Sequence, residues 1–212
     1  MNGRRVAGIS LAVYGIATMA AFGDSPGGAY DDSSVVHYIS AHHTWAAFGL
    51  AYLGVLGALA LLPFGLGLRD EAGRARDLVW GLTVAGSAAG LVGWFVTGGL
   101  AVAMAEGGSP VRDHLAHPAV YTVSEIGKLV AVCAPALCVG VIAIVLARTA
   151  SLPGWLRAFS FVAGVCGIFS AAYFTLMVFG LWTLVAGVAL AATGRSAGSV
   201  TGNGGTRRVA TA

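Results

Sequence analysis

The chain has 212 residues, of which 57% are hydrophobic and only 10% charged, with a mean hydropathy of +0.82 and a formal net charge of +3. A soluble domain carries about 25% charged residues, so this composition cannot clothe a water-facing globule and points to the bilayer as solvent. The twelve Lys and Arg are dispersed, never more than two in a row, which excludes the gathered basic face of a nucleic-acid binder.

Uncharged stretches of about 18 residues or more are candidate membrane helices. The first, 6–23, follows Arg4-Arg5. Its apolar run is longer than a signal-peptide core and no A-x-A site follows, so it reads as an uncleaved first span. The loop after it ends in "SSVVHYISAHH". If residues 35–44 are helical, His42 stands about 140° and His43 about 240° from His37, so these three imidazoles do not converge into a chelate. The second span, 45–68, starts at Trp45 and carries Pro63, where a kink is expected. Arg69, Arg74 and Arg76 follow it.

The third span, 78–105, contains Gly86-Ser87-Ala88-Ala89-Gly90, a GxxxG motif that lets helix backbones approach closely. Packing within the bundle is the first expectation for Gly86 and Gly90, and a homodimer seam the second. In the loop beyond, "RDHLAH" sets Asp113, His114 and His117 at about 0°, 100° and 40° on a helix. A carboxylate with two neutral imidazoles is a common ligand set for zinc and related divalent metals. Solvated loop histidines are the plainer account. The sharper one is a metal site of Asp113, His114 and His117, completed by His42 or His43. Pro118 disfavours helical geometry at His117 but suits the first turn of the next helix. Glu125 and Lys128 then lie three residues apart near the membrane surface, as an ion pair or with Glu125 as an acid/base for a lipid headgroup.

The fourth span, 129–147, holds Pro135, with Cys133 and Cys138 about 140° apart on the helix, so these read with Cys166 as small packing residues. The last stretch, 158–194, would be a helix roughly 55 Å long against a hydrocarbon core of about 30 Å. It is too long for one span and slightly short for two, and "SAAYFT" (170–175) has no Gly, Pro or Asn to turn the chain. The distribution of charge favours two. Cytoplasmic loops collect Lys and Arg, and with six spans ten of the twelve fall on one side, leaving Arg112 and Lys128 opposite. The expected fold is therefore all-α, a polytopic bundle of six transmembrane helices over 1–194 with the last two as a short hairpin. Both termini are then cytoplasmic, and the Gly/Ser/Thr-rich stretch 195–212 is expected to be disordered.

Trp45, Trp80 and Trp155 fall at span ends as interfacial anchors, while Trp94 and Trp182 lie deeper, between helices. No Asp, Glu, Lys, Arg or His lies inside a predicted hydrocarbon segment. That argues against ion-coupled pumps, and against haem held between facing spans by histidines. The hydroxyls at depth, Tyr52, Ser87, Thr97, Ser170, Tyr173 and Thr183, are expected to bond local carbonyls or bridge helices.

The basic start "RRVAGISLAVYGIA", the outer loop "FGDSPGGAYDDSSVVHYISAH", the span end "LGLRDEAG" and the later "SLPGWLRAFSFVAGVCG" with "LWTLVAGVALA" together resemble a group of uncharacterised six-span integral membrane proteins common in actinobacteria. The resemblance covers nearly the whole chain except the tail. It implies the fold and topology and carries no activity. The functional expectation is a non-catalytic protein that binds a lipid or small apolar molecule, or serves as an accessory subunit, with membrane lipids as partners. The alternatives are an outer-face metal-dependent lipid-modifying enzyme and an exporter of a hydrophobic substrate.

Overall fold

In the computed structural model the described residues are 3–22, 44–106, 117–149 and 152–199, and they form six α-helices with no strand among them. These are α1 (Gly3–Phe22), α2 (Thr44–Leu68), α3 (Arg76–Glu106), α4 (His117–Thr149), α5 (Gly154–Ile168) and α6 (Tyr173–Ser199), with one 3₁₀ turn at Gly73–Ala75. A helix closes every interior backbone bond within its own segment, which is what a medium without water demands. Even Pro63 and Pro135 sit inside continuous helices, α2 and α4.

Four of the six, α2, α3, α4 and α6, are long and apolar enough to cross a membrane. Their outward faces show what solvent they suit. Phe174 is 77% exposed, and Ile16, Phe95, Leu181 and Val188 also lie bare on the bundle surface. Apolar exposure spread over every helix is a lipid-facing surface, because water would drive such a chain to aggregate.

The helices form a closed ring. α1 packs on α2, α2 on α3, α3 on α4, α4 on α5 and α5 on α6, and α6 returns to lie along α1. The interior is filled from all sides by Leu11, Phe64, Ile142, Leu156 and Trp182. A second cluster joins Val55 of α2, Trp94 of α3 and Val132 of α4. Lipid gives helices no hydrophobic reason to associate, so close backbone approach has to supply the attraction. Glycines provide it at each seam. A Cβ on Gly8 would run into the backbone of Gly187 and Ala191, joining α1 to α6. One on Gly93 would meet Ala131 and Gly127 between α3 and α4, and one on Gly140 would meet Gly164 and Gly167 between α4 and α5. Gly86 faces Cys138 and Pro135 of α4, and Gly90 faces Ala58 of α2, so both GxxxG positions are occupied by helices of the same chain.

The interior polar groups follow the hydroxyl expectation in most places. Ser87 Oγ donates to Ala58 O across the α2–α3 seam at 2.9 Å, Thr97 Oγ1 to Gly93 O at 3.0 Å, and Thr83 Oγ1 to Val79 O at 2.7 Å. Trp94 and Trp182 are buried between helices, and Trp182 Nε1 donates to Ser160 Oγ of α5 at 3.0 Å. Tyr52 is the exception: it faces outward, stacked on Phe48.

α4 begins at His117, with Pro118 in its first turn as expected, and runs through the polar stretch into the apolar span from 129. One helix end departs from the sequence reading. α6 carries on to Ser199, past 194. The break between α5 and α6 falls at Phe169–Ala172, inside the run that lacks a breaker residue. Hydroxyls do the work there. Thr175 Oγ1 lies 2.8 Å from Phe169 O and 2.7 Å from Ala172 O, adding to the backbone bonds that Ala172 N and Thr175 N donate to those carbonyls. Ser170 Oγ donates to Cys133 O at 3.2 Å and ties the turn to the side of α4. With only 15 residues, α5 is about 22 Å long, the shortest of the six.

At the arginine-rich end Arg4 Nε bonds Glu71 Oε1, fastening the start of α1 to the α2–α3 connection, and Arg157 Nε donates to Ala147 O in the last turn of α4 at 2.9 Å. Gly73 in that connection has φ +55°, a conformation that favours glycine.

Candidate functional site

Of the metal candidates, His42, His43, Asp113 and His114 lie outside the described residues, and His117 is described only through its backbone, as the first residue of α4. Among the described residues no group of three or more His, Cys, Asp and Glu could hold a metal ion. The cysteines are unpaired and half-buried. Glu125 is described, and Lys128 Nζ lies 3.4 Å from its Oε1. The pair expected near the membrane surface is turned inward at the lysine, which is 3% exposed. An ammonium removed from water needs such a partner.

The structure opens a different site. Between α1, α4 and α6 lies a cavity of about 110 Å³. Tyr14, Gly15, Thr18 and Met19 come from successive turns of one face of α1, and Leu176, Met177, Phe179, Gly180 and Thr183 come from α6, with Val132 of α4 at the back. The cavity reaches the outside of the bundle between α1 and α6. Met19 and Met177, two of its walls, are 41% and 62% exposed on the lipid-facing surface. Gly15 and Gly180 thin the wall on either side, one on each helix. Methionine, flexible and polarisable, suits a mouth that must fit variable shapes.

No carboxylate, imidazole or amine lines this cavity; its one titratable side chain is the Tyr14 phenol. Its polar atoms are hydroxyls. Thr183 Oγ1 donates to Gly180 O at 2.6 Å and is satisfied. Thr18 Oγ1 is not: it is buried and makes no hydrogen bond. The Tyr14 and Thr18 side chains neighbour each other across one turn of α1, and the Thr18 oxygen lies toward Gly57 of α2. Apolar walls with a very few polar atoms are the usual make-up of a small-molecule pocket.

One helical turn toward the arginine-rich end lies a second, smaller cavity of about 20 Å³, lined by Leu11, Trp182 and Ser160 and reaching Glu71. It has room for about one water. Glu71 Oε2 is buried there without a hydrogen bond, while Oε1 is taken by Arg4. Hydrogen bonding to Glu71 raises the Arg4 guanidinium above its ordinary range, against the opposite pull of burial.

The sequence reading did not single out Tyr14, Gly15, Thr18 or Gly180. The cavity lacks the carboxylates, imidazoles and amines that mark a site in a sequence. The available signal was the segment "YGIATM" (14–19), which sets a glycine beside an aromatic residue and a threonine one turn on. Only the pairing with α6, some 160 residues later, turns that face into a wall. No protein-family model matches the chain, and neither a curated protein nor a solved structure does.

Proposed function

We propose that this chain is a six-span integral membrane protein, cytoplasmic at both ends, that holds a small apolar molecule taken sideways from the bilayer without transforming it. The observation that carries the reading is the cavity between α1, α4 and α6, apolar, without a carboxylate, imidazole or amine, and open on the lipid side at Met19 and Met177. Six spans are supported by the alternation of the helices. Arg4, Glu71 and Arg157 lie at one end of the ring, together with Arg5, Arg69, Arg74, Arg76, Arg148 and Arg195. That bias sets the cytoplasmic side. In this reading α1 and α5 also cross, with α5 reaching the opposite side through the turn at Phe169–Ala172.

The chain contains four methionines, two of them, Met19 and Met177, at the cavity mouth. With methyl-labelled methionine and the protein in nanodiscs, added cyclohexane is expected to shift the Met19 and Met177 signals to saturation. Gly180→Leu, which fills the mouth, should abolish the effect. No saturable movement at Met19 and Met177, or the same movement in Gly180→Leu, would overturn the proposal.

A further inference from the structure

α5 is shorter than the membrane its neighbours are built to cross. From Trp155, exposed at the arginine-rich end, to Phe169 at the turn is about 21 Å, against a hydrocarbon core of about 30 Å. α4 gives the same shortfall independently. Ser170 Oγ donates to Cys133 O, which sets the turn at the level of Cys133. The exposed apolar surface of α4 continues past that level through Leu129 to Ile126, about 10 Å further out. α5 cannot slide outward to close the gap. Arg157 Nε holds its inner end to Ala147 O, and Gly164 and Gly167 lie so close to Gly140 that a Cβ there would strike both. Tilting would only shorten its reach. The turn itself is bare: Phe169 is 63% exposed, Ala171 and Ala172 are exposed, and no described residue accepts the Ala171 N–H. Irregular backbone facing outward in this way is not tolerated against hydrocarbon.

We infer that the outer leaflet dips by about 9 Å to meet the α5–α6 turn, so that lipid headgroups and their water solvate Phe169–Ala172. This rests on the six-span reading above, in which α5 crosses. A span shorter than the hydrocarbon is accommodated by thinning of the bilayer beside it. Here the thinning is confined to one side of the ring, because α3 and α4 run on to Glu106 and back from His117. The surface formed by α5 and the start of α6 therefore fits lipids whose acyl chains are short or disordered better than long, ordered ones. Met177 follows the exposed Phe174 by one turn of α6, so the thinned region ends at the cavity mouth. A molecule entering between Met19 and Met177 then comes from the outer leaflet.

The test reads depth from spin-label relaxation, in the full chain in dioleoylphosphatidylcholine nanodiscs, with Cys133, Cys138 and Cys166 replaced by alanine. Ala171→Cys carries the label at the turn. Val92→Cys carries it on the exposed face of α3 at about the same height, since Gly93 beside it packs on Ala131, two residues from Cys133. Oxygen gathers in hydrocarbon and a nickel chelate stays in water, so their relative effects give each label's depth. The Ala171 label should lie at headgroup level, about 9 Å shallower than the Val92 label. Phe169→Cys, a second reporter of the turn, should agree with it. In thicker dierucoylphosphatidylcholine nanodiscs the Val92 label should read deeper while the Ala171 label stays at the headgroups. An Ala171 label no more open to nickel than the Val92 label, whether held in hydrocarbon or covered by a second copy, overturns this inference and leaves the six spans standing. So does an Ala171 label that sinks in the thicker bilayer. Both labels at headgroup level overturn the inference and the six-span reading together.

Discussion

The α1–α6 seam permits a paired experiment in which one methyl group is added at two places with opposite consequences. At Gly8 the new Cβ of an alanine would press on the backbone of Gly187 and Ala191, which cannot turn aside. At Gly180, on the same seam, it would meet Met19 Sδ at 3.1 Å and Cε at 3.3 Å, the far end of a flexible side chain beside open space. Both substitutions gain the same helix propensity, about 1 kcal/mol for alanine over glycine, so that contribution cancels in the comparison. What remains is overpacking at Gly8 alone, about 1–3 kcal/mol. Gly8→Ala should therefore be the less stable by that amount, roughly thirtyfold in the unfolding equilibrium at 2 kcal/mol. Unfolding in mixed micelles by titration with a denaturing detergent reads the difference directly. Equal stabilities, or a Gly8→Ala chain as stable as Gly180→Ala, would refute the claim that backbone contact at Gly8 holds the ring closed.

Two further outcomes are expected. Arg4→Gln should lower stability by about 1–3 kcal/mol, since it leaves the Glu71 carboxylate part-buried without its cation, and adding Glu71→Gln should restore part of the loss in the same detergent titration. Because the Arg4 value is raised, its stabilisation is complete at lower pH and is lost only as pH climbs through a value above the ordinary arginine range. Unfolding curves between about pH 6 and 9 should therefore show no weakening that Arg4→Gln removes. At the α5–α6 turn, Ser170→Ala should cost about 0.6 kcal/mol, and at most about 1.7, through loss of the bond to Cys133 O. Faster hydrogen exchange at Phe169–Ala172 would check it.

Much of the helical framework is legible because hydropathy and charge are sums over neighbouring residues. The boundaries of α2 and α3 emerge within two residues, since Trp45 and the arginines after Leu68 bracket them. The break at Phe169–Ala172 is legible only through charge. No residue there forbids helix, and the turn depends on the Thr175 and Ser170 hydroxyls finding carbonyls, one of them on α4. The outer third of α4 escapes hydropathy for a related reason. Glu125 and Lys128 lower the average although Lys128 points inward, and an average carries no information about faces. The cavity is the least legible feature. Thr18 looks like any helical threonine until its missing carbonyl contact is seen, and Gly15 and Gly180 acquire meaning only when α1 and α6 lie side by side.

That adjacency of first and last helices has a consequence for biogenesis. At about 5–20 residues per second, a ribosome needs roughly 8–30 s to travel the stretch of about 150 residues between the end of α1 and the start of α6. Throughout that time the Gly8 groove of α1 waits in the bilayer for a complement that has not yet been synthesised. Closure of the ring is thus a late, post-insertion event. A helix made well before its partner is locked in place only after it, and until then it is open to capture by other newly inserted helices.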